Sequence, residues 1–99
     1  MLNPFNLDMT KMKTMSDSLN AELENTVIEG ESGAGMVKAK VTGTGKLISI
    51  EVTDEVYAMG DKNDMCVLIV SAVNMALEKS NQHRAEAGMS ALRNIGILH

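Results

Sequence analysis

The chain is 99 residues long and carries a formal net charge of −4; 44% of it is hydrophobic, although it has one Phe, one Tyr and no Trp. That length fits one domain and no more, and a lone subunit of this size cannot hide so much apolar material, so pairing with a second copy is expected. Its longest unbroken apolar run, Met65 to Val70, is too short for a bilayer, no basic N-terminal stretch precedes an apolar block, and a single cysteine excludes an intrachain disulfide, which together predict a cytoplasmic protein without a membrane anchor.

Asn3 followed by Pro4 is a helix-start signal, because the Asn side chain can cap free N–H groups and Pro is preset for the first helical position. The spacing predicts a helix from about Pro4 to Asn25. Leu2, Phe5, Met9, Met12, Ser16, Leu19 and Leu23 lie alternately three and four residues apart and so share one stripe. Asp8, Lys11, Ser18, Glu22 and Asn25 fall outward, which leaves one face in water. Met9, Met12 and Met15 read as core methionines at helical spacing.

The β-branched pair Val27-Ile28 marks the switch to strand, and Gly30 is expected to end that strand or bulge it. Gly33-Ala34-Gly35 and Gly43-Thr44-Gly45 then supply two tight reversals, since glycine reaches positive φ without steric cost. Between and after them the residues alternate. Val37, Ala39 and Val41 oppose Met36, Lys38 and Lys40, and Ile48, Ile50 and Val52 oppose Leu47, Ser49 and Glu51. A three-stranded antiparallel meander follows, with one apolar face that needs a helix to cover it and one charged face in solvent.

Asp54 to Met59, closed by Gly60, reads as a short helical turn, and Asp61 is placed to cap a long helix with Asp64 in its first turn. From Met65 to Leu77 only Ser71 and Asn74 are polar, so that helix should touch neighbours on more than one side: the sheet on one, a partner copy on the other. Met65, Leu68, Ile69, Ala72, Val73 and Ala76 form the expected dimer interface, and Cys66 reads as a small buried hydrophobe. Beyond Leu77 the polar run to Arg84 predicts a projecting helix that Gly88 stops, giving a domain over 1–88 and a mobile tail over 89–99.

Charge is uneven along the chain. Asp54, Glu55, Asp61 and Asp64 crowd the link between sheet and long helix against Lys62 alone, which leaves room for basic patches elsewhere. Enzymatic chemistry has little to build on: no nucleophile with a base, carboxylate pair or metal-ligand cluster assembles, and His83 and His99 stand without company. Gly43-Thr44-Gly45-Lys46 is not a phosphate loop, because Leu47 follows the lysine and Lys40 stands where the first glycine belongs. No catalytic residue, metal site, cofactor or small-molecule substrate is expected.

The run Glu29-Gly30-Glu31-Ser32-Gly33-Ala34-Gly35-Met36-Val37-Lys38 resembles the signature of the YbaB/EbfC family of bacterial nucleoid-associated proteins, and the order of elements from about Leu7 to Arg84 is similar to theirs. The resemblance implies an α+β homodimer, with an N-terminal helix, a three-stranded antiparallel meander and a long C-terminal helix. It also implies binding of double-stranded DNA at the nucleoid, in chromosome organisation or expression control. In that family, basic residues of the first helix and of the projecting end of the long helix grip the duplex like tweezers. Carried onto this chain, those positions are Lys11 and Lys13, Lys79 and Arg84, with Arg93 in the tail. Family members commonly carry many Lys and Gln residues in the first helix. This helix instead sets two lysines among Asp8, Asp17, Glu22 and Glu24, so weak or strongly salt-sensitive binding is expected. The charge balance also admits a dimeric adaptor that binds protein through its methionine-rich helix and acidic link.

Overall fold

A computed structural model describes residues 9–94, with side chains from residue 13 onward. Six elements follow in order: α1 (Met9–Glu24), β1 (Val27–Ser32), β2 (Val37–Thr42), β3 (Leu47–Val52), α2 (Asp54–Met59) and α3 (Lys62–Asn94). This is the α+β arrangement expected from the sequence. The helix start at Pro4, the stripe and outward positions before Met9, and the side chains of Met9, Lys11 and Met12 lie outside the described residues.

The strands form an antiparallel meander in the order β1-β2-β3. Alternation in β2 holds as read: Val37, Ala39 and Val41 are completely buried, while Lys38 and Lys40 face the other way. There Lys38 Nζ sits 4.0 Å from a Glu29 carboxylate oxygen and Lys40 Nζ 3.6 Å from one of Glu51, a charged lattice on the solvent side of the sheet. Such exposed pairs contribute little to stability.

Gly30 neither ends nor bulges β1. It pairs in register with Ala39 in mid-strand, and its role is clearance. A Cβ there would lie 2.4 Å from the Ala72 carbonyl oxygen and 2.4 Å from the Ala76 nitrogen, so glycine lets the backbone of α3 settle directly on the backbone of β1. Ala72 and Ala76, four residues apart on α3, are the matching small side chains, and both are fully buried. With Val37, Ala39, Val41 and Val56 of α2 they make the core, ringed by half-buried Ile28, Met36, Val52, Met65, Leu68, Ile69, Val73 and Leu77. The sequence reading of Ala72 and Ala76 as partner contacts is therefore corrected: they are spent inside the subunit.

Strand β3 also departs from expectation. A register shift opposite Lys40 and Val41 pairs Val41 with Leu47, leaving Ile48 as the extra residue of a bulge. Because α3 packs on β1 and β2, β3 is thinly covered. Val52 reaches the core, but Ile50 and Ile48 remain 39% and 51% exposed on what was read as a core face.

Helix α2 closes as expected on Gly60 in the left-handed region (φ 71°). Asp61 then caps α3, its carboxylate accepting from the backbone N–H groups of Asn63 (2.9 Å) and Asp64 (3.2 Å). That helix does not stop at Gly88. It runs on to Asn94, because Gly88 is not in the positive-φ conformation a C-terminal glycine cap adopts, and the residues beside it are strong helix formers such as Ala85, Ala87 and Ala91. The boundary expected at 88 thus falls inside a helix. Cys66, expected to be buried, is exposed on the flank of α3 that faces away from β1 and β2. The molecule is elongated, 67 × 22 × 16 Å.

Candidate functional site

Two helices leave the sheet from one joint. At the β2–β3 turn, the Gly43 N–H donates to the Leu23 carbonyl (2.9 Å) and the Thr26 carbonyl (3.0 Å), fastening the end of α1. Gly43 is buried, and a Cβ there would meet the Leu23 carbonyl oxygen at 2.7 Å, so only glycine permits this approach. On the other side α3 is fastened to the same turn: Ser80 Oγ donates to the Thr42 carbonyl (2.9 Å) and Arg84 Nη1 to the Gly43 carbonyl (3.3 Å). From this joint α1 runs toward its N-terminus and α3 toward its C-terminus, side by side, as a two-helix arm.

The arm is thinly packed. Leu23 is buried at the joint, but farther out Met15, Ser16 and Leu19 of α1 face Arg84, Ala85, Gly88, Met89, Ala91 and Leu92 of α3 across an open apolar groove of about 530 Å³. Lys13 lies ten residues beyond Leu23, and Arg93 nine beyond Arg84. At 1.5 Å per residue both cations stand about 14–15 Å from the joint. Each is exposed and in no ion pair among the described residues.

The other basic residues singled out in the sequence are placed differently. Lys79 Nζ donates to the Glu29 carbonyl (3.2 Å), occupying a backbone acceptor on the outer edge of β1. The Arg84 guanidinium is half-buried and divided between Gly43 and the Asn81 side-chain oxygen. Both tie α3 to the body, and the Lys11 side chain lies outside the described residues. Of the expected set, the structure brings Lys13 and Arg93 to the free part of the arm and uses Lys79 and Arg84 nearer the sheet.

The joint itself was missed in the sequence. Gly43 reads as an ordinary turn glycine, and Ser80 as one more polar residue of a projecting helix. A signal was available in the four-residue spacing Ala72, Ala76, Ser80, a row of small residues that marks the side of α3 in closest contact with the sheet.

A second surface is apolar and uncovered. On the β3 side, exposed Ile48 and Ile50 lie beside the flank of α3 that carries Cys66, Val67 and Val70. Leu68 belongs to the opposite edge, where its carbonyl accepts from Ser32 Oγ (2.5 Å). Among the described residues no cluster of three or more His, Cys, Asp or Glu is placed to hold a metal ion, and no helix is long and apolar enough to cross a membrane.

Comparison with known proteins gives this geometry a context. A family model described as the YbaB/EbfC DNA-binding family matches residues 2–95. The nucleoid-associated protein CT0805 of Chlorobaculum tepidum is 47% identical over 64 residues, which are 65% of this chain and 56% of that protein. The nucleoid-associated protein CHAB381_0200 of Campylobacter hominis is 31% identical over 91 residues, 92% of this chain and 80% of that one. Similarity thus spans only a little over half of the Chlorobaculum relative and most of the Campylobacter one. Among solved structures, that of the uncharacterized protein HP0035 from Helicobacter pylori superposes with a TM-score of 0.68 at 25% identity, covering 82% of this chain and 94% of that one.

Proposed function

Since the chain belongs to the YbaB/EbfC DNA-binding family, we propose that it is a nucleoid-associated protein that binds double-stranded DNA as a homodimer, mainly through phosphate contacts, and serves chromosome organisation or expression control. The observation that carries this reading is the arm: two helices fastened at Gly43 hold Lys13 and Arg93 away from the sheet, exposed and in no ion pair among the described residues. Lys11 extends the basic run on α1, and Lys79 and Arg84 add positive charge at the root of the arm. Positioned this way, cations neutralise backbone phosphates and displace condensed counterions without reading sequence.

Pairing uses the uncovered β3 flank. Ile48, Ile50, Val67 and Val70 are exposed there, half-buried Ile69 and Val73 border them, and a second copy would remove this surface from water. Two arms then flank one duplex.

A polarisation titration with unrelated duplexes at low and moderate salt tests the reading. Binding should weaken steeply with salt and vary little with sequence. Lys13→Ala and Arg93→Ala should each flatten the slope of log K against log salt by about 0.9, the loss of one phosphate contact. Absence of binding even at low salt would overturn the proposal in favour of the protein-binding adaptor.

A further inference from the structure

The outer part of the arm carries a charge pattern on one flank, turned away from the groove. Lys13 and Asp17 are one turn apart on α1, and Glu86 and Arg93 are two turns apart on α3; all four are exposed and in no ion pair among the described residues. At about 100° per residue, Lys13 and Asp17 lie about 110° and 150° round α1 from the side that lines the groove, and Arg93 and Glu86 about 120° and 140° round α3 in the same sense. For two antiparallel helices the same sense is the same side, so a single flank holds all four charges, with exposed Met89 at its edge. Of the neighbouring charges, Glu22 and Arg84 fall on the opposite side, and Glu24 is paired with Lys46 at 3.6 Å. The pattern has a centre. Lys13 and Asp17 are symmetric about Met15, and Glu86 and Arg93 about the step from Met89 to Ser90. Counted from Leu23 on α1, and from midway between Ser80 and Arg84 on α3, the two centres stand about 12 Å and about 11 Å out from the joint, at one level. The flank is thus positive toward the tip on both helices and negative toward the joint on both.

We propose that this flank is a self-association surface on which the arms of two copies pack antiparallel, α1 on α1 and α3 on α3, about a two-fold axis at the level of Met15 and Met89. Lys13 of each copy then meets Asp17 of the other, and Arg93 of each meets Glu86 of the other. The parallel arrangement is opposed by the same four side chains, because it sets Lys13 against Arg93 and Asp17 against Glu86. Charge therefore selects the orientation. The contact is isologous, so one arm takes one partner, and Met89 is carried toward the centre of the contact, where it leaves water. Its area is small and its ion pairs stay near solvent, which makes the association transient and sensitive to salt. It goes beyond the DNA reading and does not depend on it. Both use Lys13 and Arg93, so bound DNA and a docked arm compete.

Sedimentation over a concentration series up to about 1 mM at low salt tests this, with no DNA present. The weight-average mass should at least double across the series and fall back at moderate salt, where exposed charge pairs are screened. The mass at the lowest concentration reports separately whether the basic unit is a dimer. Lys13→Asp and Asp17→Lys each set like charges against one another across the contact, and each alone should hold the mass constant. The double variant with both changes keeps the parent's net charge and restores opposite charges at both places, so its mass should rise with concentration as the parent's does. A general effect of charge would not give that recovery. If the exchange on α1 lowers the helix signal in circular dichroism, exchange of Glu86 and Arg93 on α3 replaces it, with the same expected outcomes. A wild-type mass that does not change with concentration, single variants that still associate, or a double variant that fails to recover overturns the proposal.

Discussion

The body and the arm share one long helix, α3, which packs under opposite rules in each. Over the sheet, α3 lies so close that backbone meets backbone at Gly30, and Ala72 and Ala76 are sealed from water. Past the joint, the same helix faces α1 across an open groove, with Met89 and Leu92 45% and 36% exposed. Close packing makes the body intolerant of added atoms, because interiors have no slack at the scale of a methyl group. Loose packing makes the arm tolerant and leaves its surface available to partners.

The sharpest way to break this contrast is at Gly30. In Gly30→Ala the new methyl would overlap two backbone atoms of α3, neither of which can rotate away as a side chain could. Overpacking of this kind costs about 3 kcal/mol, a large part of the 5–15 kcal/mol that holds a small domain together. Denaturant unfolding should show the midpoint falling accordingly, with loss of soluble folded protein at 37 °C. A variant as stable as the parent would mean that α3 and β1 are not in backbone contact.

Next in size is a matched truncation. Val41→Ala empties space in a completely buried position and should cost about 2 kcal/mol, the transfer of two methylene-sized groups plus a small cavity. Leu92→Ala removes a larger group, yet from a partly wet site on the arm, and should cost less than about 1 kcal/mol. Chemical unfolding of both variants side by side gives the ratio, and an inverted order would show that the arm, not the sheet, carries the tighter packing.

These contrasts explain what could be read in advance. Alternation in β2, the Asp61 cap and the Gly60 stop are local signals, set by neighbours within a turn or a pleat, and each appears in the structure as the sequence suggests. Misreadings came where a distant element decided the outcome. Gly30 follows a strand pattern whose exception is explained only by α3, more than forty residues away. Ile48 and Ile50 alternate correctly, but the helix that would cover them lies over β1 and β2 instead. Cys66 sits in an apolar run whose buried and exposed sides are assigned only by the angle at which α3 meets the sheet. For the candidate site, the basic residues were visible as residues; their division into free cations and structural donors was not, because it rests on where backbone carbonyls of Glu29 and Gly43 end up.

A subtler test addresses the joint. Ser80 is fully buried and donates to the Thr42 carbonyl, so Ser80→Ala deletes one of the bonds by which α3 is fastened to the β2–β3 turn. The carbonyl keeps a second donor, the Gly45 N–H at 3.0 Å, and is not orphaned. That limits the cost to about 1 kcal/mol, the net value of one hydrogen bond. Amide hydrogen exchange should show faster opening of the turn around Gly43 with the centre of the sheet unaffected; unchanged exchange there would remove Ser80 from the joint.

The smallest expected effect has the opposite sign. Gly88 is in mid-helix, away from positive φ, and a Cβ at that position would touch nothing within 4 Å among the described residues. A glycine in such a place costs the helix backbone entropy and returns no packing, unlike Gly30 and Gly43, which are required by close neighbours. Gly88→Ala should therefore stabilise the protein by about 0.5–1 kcal/mol, measured as a raised unfolding midpoint, since alanine is the better helix former by about that amount. Destabilisation would mean that something other than solvent occupies the groove beside Gly88, and with it the premise that the arm is loosely packed would fall.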